Sequence, residues 1–215
     1  MLPIVVMNLG GNPFAQGTFP RGGAWTGLYC TALACELRDA DVEIGDGSAK
    51  NVLEEDEALD IVKVSGEPVA LFQDLGLKPG KVTTWYRLPD DVFTSRQYTA
   101  LKKLGQWSMP WGTEPLTPSW ARLPEHAGMR YRLSSASAKQ FLFSLDEEGH
   151  YGSDTTPVIE WIGDLDGDGK LDILMTLPDD NCGFDERLYL SSEAVKGELV
   201  HKAAQLAGWA AACGC

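Results

Sequence analysis

Apolar and polar residues alternate in short runs along most of the chain, which is the pattern of half-buried β-strands. In residues 129–133, for example, Met, Tyr and Leu alternate with two arginines. Other runs are rich in β-branched and aromatic residues, and turn signals such as Ser65-Gly66 and Pro79-Gly80 close them. The predicted strands are residues 27–30, 35–38, 41–44, 61–64, 68–72, 82–86, 129–133, 140–145, 158–162, 171–175 and 187–190.

Helical periodicity is scarce in this sequence. Residues 95–104 can cap and form one short helix, and residues 198–206 fit a helix or a strand. Residues 107–124 contain three tryptophans and four prolines, which predicts a long ordered loop. We therefore predict a mainly β fold with little helix, in which residues 1–215 form one domain built as an antiparallel sandwich or barrel.

Length, composition and charge narrow the class of protein. The chain has 215 residues, 44% of them apolar, which suits one globular domain and excludes a disordered tail, a collagen-like fibre and a coiled coil. No apolar run approaches the roughly 18 residues of a membrane-spanning helix. With 18 basic and 31 acidic residues, the net charge of −13 disfavours nucleic acid and anionic lipid as partners.

The acidic residues are clustered in residues 54–57, 90–91, 146–148 and 179–180. One interpretation is a solvated surface that keeps the protein soluble. The other is a face that steers a protein partner with a basic surface or holds divalent cations.

Five cysteines indicate at least one disulfide. Cys30 ends one predicted strand and Cys35 begins the next, so a tight hairpin would place their sulfurs opposite one another. Cys182 is then left to pair with Cys213 or Cys215, and buried free thiols are the alternative. The terminal Cys-Gly-Cys is a weak zinc signal without a second pair of ligands.

The first seven residues lack a positively charged segment followed by a long apolar one, so they do not form an intact signal peptide. Disulfides form outside the reducing cytosol. We therefore expect a periplasmic or secreted protein from which a leader has been removed.

The segment 164–172 is the strongest site in the sequence. Asp164, Asp166, Asp168 and Asp172 occupy positions 1, 3, 5 and 9 of this segment, with a glycine at position 6. Carboxylates at this spacing can surround one hard cation such as Ca²⁺, with the backbone carbonyl of Lys170 as a further ligand. An EF-hand is excluded, because it needs flanking helices and a glutamate at position 12, where Met175 stands.

Residues 163–174 resemble the calcium loop of FG-GAP repeats, the blade unit of integrin alpha-chain propellers. The resemblance implies a Ca²⁺ cofactor held by four aspartate side chains and one carbonyl, and these ligands would be Asp164, Asp166, Asp168, Asp172 and Lys170. One such unit in a chain without repeats cannot close a propeller, so only the loop is carried over.

A wider resemblance joins this loop to segments on either side of it. Together they are similar to an uncharacterised family of secreted or lipid-anchored bacterial proteins with a single FG-GAP-like loop near the C-terminus. That resemblance implies location and metal, and it supplies no catalytic residues. The segments are residues 25–29, 68–72, 77–80, 188–192 and 197–200, with the terminal Gly-Cys.

A search for catalytic residues finds none. The histidines His126, His150 and His201 do not form HExxH or another ligand pair, and the sequence has no GxSxG, GxxxxGK[ST] or GxGxxG motif. Neither a catalytic residue nor an organic cofactor site is predicted.

Two functions of different classes are consistent with these observations. The first is a non-enzymatic calcium-binding protein that docks a protein partner with a basic surface, specifically an inhibitor or immunity protein against a secreted bacterial effector. The second is a calcium-dependent carbohydrate or cell-wall hydrolase, or a carbohydrate-binding module, that uses the tryptophan-rich loop of residues 107–120.

Overall fold

The computed structural model describes residues 3–7, 14–31, 34–51, 53–88, 106–111, 114–122, 128–146, 157–177 and 183–212. These ranges contain sixteen strands and no helix, and every strand pair is antiparallel. The described part of the chain accordingly has no helix that could cross a membrane. The mainly β prediction is confirmed.

The strands are β1 (Ile4–Val6), β2 (Phe14–Ala15), β3 (Trp25–Thr31), β4 (Ala34–Asp39), β5 (Val42–Lys50), β6 (Asp56–Val64), β7 (Ala70–Gln73), β8 (Gly80–Arg87), β9 (Met109–Trp111), β10 (Glu114–Arg122), β11 (Gly128–Ser134), β12 (Lys139–Asp146), β13 (Val158–Asp164), β14 (Asp172–Leu177), β15 (Gly183–Leu190) and β16 (His201–Trp209). Of the residues 198–206, which fit a helix or a strand, those from His201 onward belong to strand β16. The predicted helix 95–104 lies outside the described residues.

Nine strands form one large sheet in the order β1-β7-β3-β4-β8-β13-β14-β15-β16. The sheet curls so far that its two end strands meet. The Gln205 N–H of β16 donates to the Pro3 carbonyl, which precedes β1, at 3.1 Å. The result is a nearly closed antiparallel barrel.

All nine strands supply apolar side chains to the barrel interior. At its centre lies Trp161 of β13, fully buried, whose indole N–H donates to the Thr84 hydroxyl at 3.1 Å. This bond satisfies the one polar atom of the ring, so the large side chain can be buried without an unpaired donor. The side chains around it include Val5, Leu28, Leu37, Phe72, Val82, Leu174, Leu188 and Ala204.

Two smaller sheets cover parts of the outside of the barrel. The sheet β2-β6-β5 packs Val42, Ile44, Val62 and Val64 against a cluster that contains Phe14, Phe19, Trp25 and Phe184. The sheet β12-β11-β10-β9 packs its inner face against β13 and β14. That inner face includes Leu116, Tyr131, Leu133, Phe143 and Leu145.

The prediction of a long loop over residues 107–124 is wrong, because β9 and β10 occupy most of this segment. The prolines suggested a loop, but Pro115 stands opposite Pro110 in the β9–β10 pair, and Pro118 lies within β10, where its carbonyl accepts the Trp107 N–H at 3.0 Å. The side chains of Trp107 and Trp120 point inward. Trp107 is 9% exposed with its ring 5.1 Å from that of Tyr86, and Trp120 is half-buried against the same core.

The predicted hairpin disulfide is confirmed. Cys30 of β3 and Cys35 of β4 are paired in register and joined by a disulfide, with 4.1 Å between their Cα atoms. Cys182, Cys213 and Cys215 lie outside the described residues, so their pairing stays a prediction.

Candidate metal centre

The aspartate loop connects β13 to β14. Its first aspartate, Asp164, ends β13, and its last, Asp172, begins β14 opposite Gly163. Gly167 and Gly169 have φ angles of 83° and 79°, which only glycine adopts freely, so these two residues let the chain reverse direction twice. The two glycines therefore allow a tight connection between the two strands, in which the aspartate side chains are held close together.

Three of the predicted ligands come together in this connection. Asp164, Asp166 and Asp172 each place one carboxylate oxygen so that all three oxygens lie within 4.8 Å of one another. Asp172 is fully buried, whereas Asp164 and Asp166 are half-buried at the surface end of the group. We call these three residues the aspartate cluster.

Asp172 is the innermost member of the aspartate cluster. Its Oδ2 accepts the Leu165 N–H at 2.6 Å, and its Oδ1 accepts the Ser191 N–H at 2.9 Å and the Ser191 hydroxyl at 3.3 Å. The pKa of Asp172 is raised to about 7, chiefly because the group is buried; the charges of Asp166 and Asp168 contribute to the rise, and the N–H groups of Ser191 and Leu165 oppose it. A positive charge between the carboxylates would remove the cost of ionising this group.

The two outer members of the cluster are held by the loop backbone. Asp164 accepts the Gly167 N–H at 2.8 Å and the Gly169 N–H at 3.0 Å, one on each oxygen. Asp166 accepts the Asp168 N–H at 3.2 Å and also the hydroxyl of Ser192. These hydrogen bonds fix the direction of both carboxylates, so that one oxygen of each lies close to an oxygen of Asp172.

Asp168 points differently from the other three aspartates. Both of its oxygens lie 3.1 Å from the Ser191 hydroxyl, and its Oδ1 accepts the Lys170 N–H at 2.8 Å. The Lys170 ammonium lies 3.5 Å from Asp168 Oδ2, and its side chain is 63% exposed. The loop thus orients Asp168 toward Ser191, and the roles of Asp168 and of the Lys170 carbonyl as ligands stay predictions.

Sequence reasoning about the loop missed Ser191 and Ser192. They follow β15, which pairs with β14 so that Tyr189 lies opposite Ile173, and this register brings the serines beside the aspartates. They are separated by 19 and 26 residues from their partners Asp172 and Asp166. The only signal in the sequence was their place in segment 188–192 of the wider resemblance.

The other histidine and carboxylate groups do not form a second site in the described residues. The Nδ1 atom of His201 lies 2.9 Å from the Glu198 carboxylate, and this hydrogen bond lowers the pKa of Glu198. His126 and His150 lie outside the described residues. Within the described ranges, the aspartate cluster is the one group of three His, Cys, Asp or Glu side chains placed to share an ion.

Comparison with known proteins adds no relative: no family model matches the chain, and no curated protein and no solved structure matches it.

Proposed function

We propose that this protein binds one Ca²⁺ ion at the aspartate cluster and acts as a non-enzymatic docking protein for a protein partner. The observation that carries the first half is the convergence of three carboxylate oxygens within 4.8 Å around a fully buried Asp172. Calcium binds oxygens at about 2.3–2.6 Å, so oxygens on opposite sides of one ion lie about 5 Å apart, which matches this spread.

The chemistry of the donors favours a hard cation. Every side chain of the cluster offers carboxylate oxygen, and none offers the nitrogen or sulfur that zinc and copper prefer. Calcium accepts irregular arrangements of six to eight oxygens, whereas Mg²⁺ requires a near-ideal octahedron. Asp168 and the carbonyl of Lys170 are close enough in sequence to complete such an irregular shell, as the FG-GAP resemblance implies.

An ion at this position would tie two connections together. The aspartate cluster belongs to the β13–β14 loop, while Ser191 and Ser192, which hydrogen-bond to its carboxylates, begin the β15–β16 loop. Because the ion binds only the folded arrangement, it stabilises the protein by mass action, by about 2.7 kcal/mol at a hundredfold excess over its dissociation constant. The proposed role of calcium is therefore to fix both loops at one end of the barrel.

The proposed location is outside the cytoplasm, in the periplasm or the medium. The Cys30–Cys35 disulfide supports this location, because such bonds persist in oxidising compartments. Millimolar calcium is also more readily available there than in the cytosol, which suits a site of moderate affinity.

The proposed partner is a protein with a basic surface, and the turn between β5 and β6 is the best place to receive it. Glu54, Glu55 and Asp56 are exposed at this turn, next to Leu53, whose side chain is 72% exposed. An apolar side chain beside the exposed Glu54 and Glu55 offers both contact area and steering, while Asp56 pairs with Lys50 at 3.1 Å. An inhibitor or immunity protein against a secreted bacterial effector would use such a surface, and it would need no active site of its own.

The calcium half of the proposal is tested by calorimetric titration with Ca²⁺ and with Mg²⁺. We expect one calcium site per chain, and we expect Asp164→Asn combined with Asp166→Asn to abolish the heat of binding. Glu54→Gln combined with Glu55→Gln removes the same number of charges from the β5–β6 turn and serves as the matched control, which should titrate as the parent does. Equal binding by all three proteins would refute the assignment of the site.

The docking half is tested by the same Glu54→Gln, Glu55→Gln variant in an association assay against secreted bacterial toxins of basic charge. We expect association that weakens with salt and weakens further in the variant. Association that ignores both salt and these charges would argue against docking at the turn.

A further inference from the structure

The outer surface of the four-stranded sheet has a character unlike the rest of the protein. Alternate residues of β10, β11 and β12 turn away from the core, and the register places them side by side. We call this surface the basic face. Its described side chains are Pro115, Thr117, Ser119, Ala121, Arg130, Arg132, Ser134, Lys139, Phe141 and Ser144.

The basic face carries positive charge in a protein whose net charge is −13. Arg130, Arg132 and Lys139 are all exposed, and none of the ion pairs found among the described residues involves them. Asp146, the last residue of β12, is the one acidic residue that the register places on this face, opposite Gly128 at its end. Exposed cations are usually interspersed with acids on a soluble protein, so three cations against one acid, in a chain of net charge −13, point to an acidic ligand.

An exposed aromatic ring lies among these cations. Phe141 of the edge strand β12 is 54% exposed and stands directly opposite Arg132, while Arg130 stands opposite Ser144. The two arginines are two residues apart on one strand, which separates them by about 6.6 Å. Arginine and aromatic side chains together are typical of the energetically important centre of a protein interface.

We propose that the basic face docks an extended acidic segment of a partner protein. In an extended chain, carboxylates on alternate residues are also about 6.6 Å apart, so two successive acidic side chains meet Arg130 and Arg132 in register. Each guanidinium can grip a carboxylate through two parallel hydrogen bonds. An apolar residue on the same side of the segment would cover Phe141, and the serine and threonine hydroxyls would receive its remaining polar groups.

The negative charge of the whole chain favours an acidic peptide over a polyanion as the ligand of the basic face. Nucleic acids and sulfated polysaccharides carry dense charge over a long distance, and the surrounding acidic surface would repel them beyond the edge of the basic face. A protein segment confines its negative charge to the few residues that touch the arginines. The basic face uses none of the residues of the aspartate cluster, so this proposal holds with or without calcium.

A synthetic peptide pair tests the proposal on the full chain. The probe is a ten-residue peptide in which glutamate alternates with threonine around one central leucine, and its control has glutamine in place of glutamate. We expect the glutamate peptide to shift the amide NMR signals of β10–β12 selectively, in calcium and in EDTA alike, and the glutamine peptide to bind at least tenfold more weakly.

Two double variants of equal charge change locate the binding. Arg130→Glu with Arg132→Glu reverses the charge of the basic face, whereas Lys78→Glu with Lys196→Glu makes the same change at two exposed loop lysines that are in none of the ion pairs of the described residues. We expect the first variant to lose the peptide at least tenfold and the second to retain it, with both melting as the parent does. Phe141→Ser should weaken binding severalfold by removing the apolar contact.

Three results would overturn the proposal. The first is a glutamate peptide that produces no shifts on β10–β12, and the second is equal loss of binding in the two double variants. The third is tighter binding of an oligogalacturonate or of single-stranded oligothymidylate than of the glutamate peptide, which would assign the face to a polyanion instead.

Discussion

Two hairpin connections of the barrel are closed in opposite ways. Between β3 and β4, which are two residues apart in the sequence, the sulfurs of Cys30 and Cys35 are joined covalently. Between β13 and β14, the chain is closed by a buried Asp172 that collects hydrogen bonds from Leu165 and Ser191. One connection needs nothing further once it is oxidised, whereas the other holds carboxylates together against their mutual repulsion.

This difference indicates which connection an ion can stabilise. A disulfide stabilises by restricting the unfolded chain, and calcium has no part in that effect. Under the proposed function, a cation offsets the charge of the aspartate loop, so we expect the stability of this connection to depend on the ion concentration. The four predictions that follow separate these two kinds of closure.

The largest effect is expected from Asp172→Ala. The change leaves the N–H groups of Leu165 and Ser191 buried without their acceptor, and each such group costs about 1–3 kcal/mol. We expect the free energy of unfolding in urea to fall by about 3 kcal/mol, with no remaining response to calcium. Asp172→Asn keeps one acceptor oxygen, so it should lose the calcium response at a smaller cost. Retention of the response in either variant would place the ion elsewhere.

Removal of the disulfide comes next. Cys30→Ser with Cys35→Ser opens a short loop, for which the chain-entropy model gives about 2 kcal/mol. Because the two connections are independent, the loss should be the same in calcium and in EDTA, and urea unfolding under both conditions measures it. A loss that differs by more than about 0.5 kcal/mol between the two would mean that the connections are coupled.

A smaller effect is expected from Ser191→Ala. The Ser191 hydroxyl lies 3.1 Å from both oxygens of Asp168 and 3.3 Å from Asp172, and its removal takes one donor from two carboxylates. We expect a loss of about 1 kcal/mol together with weaker calcium affinity by calorimetry. Ser137→Ala, at an exposed turn, is the control and should change neither quantity.

The smallest effect concerns Glu160, which belongs to neither connection. Burial raises the pKa of Glu160, although the Thr176 hydroxyl donates to its carboxylate at 3.1 Å and opposes the rise. A raised carboxyl pKa means that the folded protein binds the proton more tightly than the unfolded chain, so stability falls as the pH rises through the ordinary carboxyl range.

Glu160→Gln should therefore flatten that fall, because it removes a carboxyl group whose pKa differs between the folded and the unfolded protein. Urea unfolding between pH 4 and pH 7 in saturating calcium compares the variant with the parent. Parallel pH profiles of the two proteins would show that Glu160 does not titrate differently on folding.

Alternation of apolar and polar residues was enough to predict most strands, because the period of two determines which side chains face the core. It failed where glycine and proline interrupt a strand. The predicted strand 41–44 ended before Gly45, yet β5 runs to Lys50. A Cβ at Gly47 would collide with the side chain of Ile61 on the paired strand, so glycine here makes room inside a strand and does not mark a turn.

The aspartates of the candidate site could be predicted from the sequence, because they lie within nine residues of one another. The serines that hydrogen-bond to them could not be predicted. Local spacing reports which carboxylates can converge, and Asp164, Asp166 and Asp172 do converge. Ser191 joins them only because β15 pairs with β14, and strand order is a property of the whole sheet. The closure of the barrel through β1 and β16 was beyond sequence reasoning for the same reason.

Thermal unfolding of the parent protein in excess Ca²⁺, excess Mg²⁺ and EDTA tests the central claim most directly. A hundredfold excess of calcium over its dissociation constant adds about 2.7 kcal/mol, and a chain of this length gains about 2–4 °C per kcal/mol. We predict a Tm about 5–10 °C higher in calcium than in EDTA and little change in magnesium. Identical melting curves in all three buffers would contradict the assignment of the aspartate cluster as a calcium site.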